Sequence, residues 1–358
     1  MNGTSRTTMN SMQRTLTTLG QQEPDRVPLF LLTTEHGARE VGLTIEEYYA
    51  KAENVIEGQM RLLKKFRSDC LYGFYYASIE MEAWGGSTIF SLDGPPVCGA
   101  PIINRPEDID TLQAPSVLLA PGLVKVLETI RALKANVGDT VPIIGVAISP
   151  FSLPIMQMGF DRYIELIYEQ PERFERLMQT NIAFSVAWSN AQLAAGATAI
   201  CYFDPLSSST NIPRELYLKT GQQVAKRALA DIKGATATHM ASGRCMPIIG
   251  DIADTGTAVV GVSALEDLAT LKAAANKRVS LLGNLNGIEM RRWTCEQAEA
   301  HVKRAIAQAG RGGGFILSDN HGEIPFLVPD DILLAIGDAV ERWGHYPLDW
   351  VESYLATS

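Results

Sequence analysis

Long apolar runs, clustered basic residues and paired cysteine spacings are all missing from this sequence, and each absence removes a class of protein. Nowhere do about 18 consecutive apolar residues occur, so no helical membrane span is expected. The opening stretch MNGTSRTTMNSMQRTL lacks the apolar core of a secretory signal. The five cysteines, Cys70, Cys98, Cys201, Cys245 and Cys295, are scattered and odd in number, which suits a reducing compartment better than a disulfide framework. With 31 Lys and Arg against 40 Asp and Glu the formal net charge is −9, and without a basic run there is no electrostatic footprint for nucleic acid. No internal repeat or linker divides the chain. The expectation is a cytoplasmic protein with neither nucleic acid nor membrane as a partner.

What is present is an alternation. Hydrophobic residues make up 46% of the 358, enough for a sizeable core. Short apolar, β-like runs at 27–32, 69–76, 141–148, 197–204, 236–238, 258–262, 279–284 and 313–317 are separated by helix-like segments. The segment 44–66 opens with Thr44 and, three residues on, Glu47, a capping box. Further helices are expected over 120–135, 161–196 with a break near Pro171, 213–232 with Pro213 in the first turn, 246–253, 265–275, 295–309 and 329–343. Strands and helices alternating eight times predict a single (β/α)8 TIM barrel spanning residues 1–358. A short N-terminal extension with a helix over 11–19 precedes it, and a β-hairpin insertion over 87–103 follows the second strand, where it would cover a site.

Barrels of this kind collect their chemistry just past the carboxyl ends of the strands. The residues so placed are Glu35 and His36, Tyr75 and Tyr76 with Glu80 beyond them, Asp204, His239, Asn284 and Asn286, and Asn320 with His321. His239 and Cys245 share one strand-to-helix loop, and imidazole nitrogen and thiolate sulfur are ligands that zinc prefers. His321 completes a set of three if its loop meets theirs. We therefore expect His239, Asp204 and His321 as catalytic residues and His239, Cys245 and His321 as metal ligands. His36, Tyr75, Tyr76, Glu80, Asn284 and Asn320 are expected to bind substrate. Each has an ordinary alternative: a hydrogen-bonded histidine at a strand end, a packed cysteine, an aspartate capping its own turn before proline, or tyrosines that only wall the pocket.

Five stretches in order, EPDRVP at 23–28, DPLSSS at 204–209, His239 leading to DIADTG, LLGNLNG at 281–287 and GGGFILS at 312–318, resemble the uroporphyrinogen decarboxylase superfamily. More closely they resemble its cobalamin-dependent methyltransferase branch. That resemblance implies a barrel holding zinc on a His-x-Cys pair after the fifth strand and a cysteine after the eighth. It also implies methyl exchange with cobalamin carried by a separate corrinoid protein. The chain departs from this pattern, with Met240-Ala241-Ser242 after His239 and His321 in place of the second cysteine. It departs from the decarboxylase too, because LLTTEHG at 31–37 lacks the arginines that would hold a polycarboxylate. The function implied is methyl transfer between a (methyl)cobalamin carrier and a small thiol, folate or methoxy compound, activated by a metal. Histidines in place of thiolates tilt the choice towards an oxygen substrate. The alternatives are a decarboxylase-like lyase and a non-catalytic corrinoid- or tetrapyrrole-binding barrel, and a homodimer is an allowed assembly.

Overall fold

The computed structural model describes residues 8–356; the first seven residues of the polar opening stretch lie outside the described residues. Its strands are β1 (Leu71–Tyr72), β2 (Thr88–Ile89), β3 (Val97–Cys98), β4 (Ile143–Ile148), β5 (Ala199–Phe203), β6 (Ala235–His239), β7 (Val259–Gly261), β8 (Ser280–Leu285) and β9 (Phe315–Asp319). Seven of them form one curled parallel sheet in the order β1-β4-β5-β6-β7-β8-β9. The expected insertion after the second strand is the antiparallel β2-β3 pair. The fold is thus the expected α/β, TIM-like one.

The expected first strand differs in how it is held. Residues 27–32 fill the gap between β9 and β1. Leu29 makes a parallel bridge with Leu317, and the Phe30 N–H donates to the Leu317 carbonyl at 2.9 Å. On the other side one backbone bond, from the Asp69 N–H to the Leu29 carbonyl at 2.6 Å, is joined by side chains: the Leu29 N–H donates to Asp69 Oδ2 at 2.8 Å and the Leu31 N–H to Ser68 Oγ at 3.2 Å. Asp69 is itself fixed by Arg14 at 2.6 Å and Arg26 at 2.7 Å, all three buried. The EPDRVP stretch and the N-terminal helix Ser11–Leu19 therefore serve the amino end of the sheet, where side chains hold the barrel together.

Helix boundaries follow local chemistry. Cys295–Ala309 begins at a Thr294–Gln297 capping box. The expected 44–66 helix is two, Ile45–Ala50 after the Thr44–Glu47 box and Ala52–Phe66, because Lys51 is extended (φ −132°, ψ 139°). Thr220 likewise divides Arg214–Lys219 from Gly221–Asp231. The break before Pro171 falls as expected. An unexpected helix, His36–Val41, takes His36 out of a rim loop.

The sheet separates two environments. Residues such as Ile143 and Ala147 pack fully buried against the helices, while Ile144, Val146 and Ile148 face a central cavity, as the two-residue period of a strand requires.

Candidate functional site

The cavity has a volume of about 490 Å³ and reaches from the N-terminal helix to the strand carboxyl ends, where the β2-β3 hairpin covers it with Pro95 to Cys98. Its walls are apolar along the sheet. Polar groups gather at the mouth: His239, Ser318, Asp319, His321 and Glu323. Among the described residues lining it there is no lysine or arginine.

His239 ends β6 and is buried. Its ring stacks on Phe203 of the neighbouring strand at 5.7 Å between centroids and lies flat over Gly261 of β7, its register partner. A Cβ on Gly261 would fall 2.4 Å from His239 Cδ2, so only glycine fits there. Ala241, in the left-handed region at φ 49°, turns its N–H back to His239 Nδ1 at 3.0 Å. Burial, and then the nearby His321, lower the imidazole pKa to about 4, so the ring is neutral at pH 7. With Nδ1 accepting, Nε2 carries the proton and presents an N–H donor.

His321 Nδ1 pairs with Ser242 Oγ at 2.6 Å, which ties the loop after β9 to the loop after β6. Asp319 accepts from the His321 and Gly322 amides at 2.7 and 3.1 Å. Glu323 accepts from Thr34 Oγ at 2.5 Å and from the Glu35 N–H at 3.1 Å. Burial raises the Glu35 carboxyl to about 7. Burial and then the neighbouring Glu35 hold Glu323 well above the usual carboxylate range. Both oxygens of Glu35 are buried without a hydrogen-bond partner, which favours its protonated form beside Glu323.

The expected residues divide accordingly. His239, His321 and Tyr76 line the cavity together, Tyr76 donating to Glu82 at 3.0 Å. Asp204 does not: it accepts from Ser149 and Ser152 at 2.6 and 2.7 Å and is buried behind β5. Tyr75 bonds Thr129 at 2.7 Å within the helical layer. Glu80 accepts from the Ile148 N–H at 2.9 Å, and burial pushes it up to about 8. His36 is buried, held down to about 3 by burial and then Arg39, and packs on Phe326. Asn284 donates to the Ser263 carbonyl at 3.0 Å. The Asn320 amide, oriented to satisfy both its ends, donates to the Leu285 carbonyl at 3.0 Å. Asn286 caps Ile288 and Glu289. None of these groups lines the cavity.

Zinc finds no matching set of ligands. Cys245 sits in the core with Ile248 and Ile249, away from the cavity, its N–H donating to Glu266 at 2.9 Å. His239 commits its Nδ1 lone pair to Ala241 and keeps a proton on Nε2. Among the described residues no group of three His, Cys, Asp or Glu side chains could hold a metal ion. Asp319 was missed in the sequence because strand eight was expected to end at Leu317, whereas β9 runs to Asp319 and delivers its carboxylate to the mouth. Glu323 stands four residues farther on, in the loop after β9, and lines the cavity as well.

The sequence profile described as Uroporphyrinogen decarboxylase (URO-D) matches residues 10–343. A uroporphyrinogen decarboxylase of Tolumonas auensis is 25% identical over 360 residues, covering 92% of this chain and 96% of that protein. One of Cellvibrio japonicus is 29% identical over 224 residues, covering 57% and 60%. Among solved structures, a methyltransferase from Methanosarcina mazei superposes with a TM-score of 0.85 at 19% identity, covering 94% of this chain and 99% of that one. A B12-independent methionine synthase from Shewanella sp. W3-18-1 gives 0.53 at 13% identity, covering 89% and 96%.

Proposed function

The chain belongs to the uroporphyrinogen decarboxylase family, and we propose that within it the protein works as a corrinoid-dependent methyltransferase. It moves a methyl group between a cobalamin carrier protein and a small thiol, folate or methoxy compound whose heteroatom lies beneath His239. The observation that carries this reading is the cavity: large, apolar along its walls and, among the described residues, without a lysine or arginine in its lining. A porphyrinogen bearing many carboxylates would be left with unpaired buried anions there. Arg214 is not among the lining residues and is paired with Asp251 at 2.6 Å.

Methyl transfer to or from cobalt is an in-line displacement, so the protein must align donor and acceptor and stabilise charge on the heteroatom. His239 supplies a neutral, fixed N–H donor for that atom. The Glu35–Glu323 pair holds or returns the proton that accompanies it. Cobalamin, when bound by its carrier, supplies the methyl-accepting cobalt; no step is assigned to zinc. The hairpin beside the mouth exposes Ile89, Leu92 and Val97, an apolar surface suited to a docking carrier.

The test is spectroscopic. Purified protein is mixed with methylcobalamin or cob(I)alamin and with thiols, tetrahydrofolate or methyl ethers, and the cobalt absorbance is followed. Turnover with at least one partner, lost in His239→Ala, is expected. Absence of cobalt-dependent turnover with all three classes refutes the reading.

A further inference from the structure

The interior of a TIM barrel is ordinarily filled by layers of bulky side chains. Here it is hollow, and the register explains why. Residues facing inward from β5 are Ala199, Cys201 and Phe203, and those from β6 are Ala235, Ala237 and His239. The strands pair Ala199 with Ala235, Cys201 with Ala237 and Phe203 with His239. Two of the three layers on this side are therefore built from small side chains, and only the layer at the mouth carries rings. Ala258, before β7, is small as well. Ala199, Ala237 and Ala258 remain half-buried and Ala235 exposed, although three of these four lie inside strands of the sheet. The facing wall is apolar and larger: Phe30, Leu32, Tyr72, Ile144 and Val146.

This space is about 490 Å³, whereas roughly 150 Å³ of dry apolar cavity suffices to bind benzene. Water gains little in such walls, and an apolar group gains on the order of 25 cal/mol for each Å² it buries. Anionic partners such as folates find no lysine or arginine among the described lining residues. Methanol-sized donors would leave most of the volume unused.

We infer that the barrel axis is a subsite for the ring of a neutral aryl methyl ether, with Ala199, Ala235 and Ala237 setting the length of ring system admitted. This rests on the methyltransferase reading for its chemistry and on the cavity alone for its binding. In the step, the electron pair of cob(I)alamin attacks the methyl carbon, a Co–C bond forms and the C–O bond breaks. The aryl oxide leaves with the bonding pair, hydrogen-bonded to His239 Nε2–H, and takes its proton from the Glu35–Glu323 pair, whose Glu323 lines the cavity and which water then reprotonates. Cobalt is oxidised formally from Co(I) to Co(III), and no other oxidant or reductant is needed.

The experiment compares wild type with Ala237→Phe, which fills the middle layer, and Ala237→Val, which fills it less and guards against misfolding. Folding of each is checked by circular dichroism. Anisole binding is measured by calorimetry without cobalamin, and methyl transfer to cob(I)alamin is measured from anisole and from methanol. Wild type is expected to bind anisole and to prefer it to methanol. Ala237→Phe is expected to lower the ratio of the two kcat/KM values by at least about tenfold, the discrimination an apolar pocket can give, with Ala237→Val between. Anisole binding that survives unchanged in folded Ala237→Phe overturns the subsite. So does methyl transfer from methanol with no anisole binding, and that outcome leaves the methyltransferase reading standing. Anisole binding lost in Ala237→Phe without any methyl transfer keeps the subsite and removes the reading.

Discussion

His239 is where chemistry and backbone meet. Its donor role depends on Ala241 supplying an N–H to Nδ1 from a left-handed turn, and on Gly261 leaving room for the ring. Removing the imidazole in His239→Ala is expected to reduce kcat by about 10²–10³, the scale set by loss of one charge-stabilising donor. Because the ring titrates near 4, it gives no inflection between pH 6 and 8. An inflection there is expected from the Glu35–Glu323 pair, with Glu35 raised to about 7 by burial, Glu323 and, beyond it, Asp319 facing it, and Tyr48 and Tyr49 packed against the pair. If the stored proton is used, kcat should fall as pH rises through about 7. Glu35→Gln should abolish that limb in a pH–rate profile. A limb unchanged in the variant would remove Glu35 from the mechanism.

A second residue-scale expectation concerns stability. Glu80, raised by burial to about 8, binds a proton in the native state that the unfolded chain releases above about 4.5. Native protein then holds more protons than unfolded between those values, so stability declines as pH rises through this window. Glu80→Gln keeps an oxygen for the Ile148 amide and removes the charge. It should be neutral near pH 4.5 and stabilising by on the order of a few kcal/mol at pH 8, as urea titration at the two pH values would reveal.

At the scale of elements, the hairpin and the tied first strand have separate tasks. The hairpin lines the cavity with Pro95 to Cys98 and turns Leu92, 88% exposed, outward. Leu92→Asp is expected to weaken methyl exchange with a carrier protein severalfold while leaving exchange with free methylcobalamin unaltered. Equal loss in both assays would deny the hairpin a docking role. At the amino end, Asp69 joins Arg14, Arg26 and the Leu29 N–H. Asp69→Asn takes one carboxylate from two buried guanidinium groups, which keep Asp25 and Glu341 as partners, a change expected to cost about 1–3 kcal/mol. Thermal unfolding would register it without a proportionate change in turnover at a temperature where the variant stays folded.

For the whole molecule, the cavity and the ligand geometry make one joint expectation. Zinc analysis of the purified protein should find no stoichiometric metal, and a chelator should leave turnover intact, because Cys245 faces the core and His239 offers a donor rather than a lone pair. One equivalent of zinc lost in both His239→Ala and His321→Ala would reverse this. Among the described residues no helix is long and apolar enough to cross a membrane, in keeping with the sequence.

Periodicity and turn residues determined the alternation of strands and helices, the hairpin, and the Thr44 and Pro171 boundaries, because these depend on neighbours in the chain. They also placed His239 and His321 at one mouth, since strand order follows chain order. Only the tertiary structure decided that Asp204 and Tyr75 turn away from the cavity to serine and threonine hydroxyls, that Cys245 packs rather than binds, and that Glu35 and Glu323, 288 residues apart, meet. It alone decided that the barrel is hollow. Local sequence shows alanines in strands, but their register across neighbouring strands makes them a cavity, and register is a property of pairing rather than of any one strand.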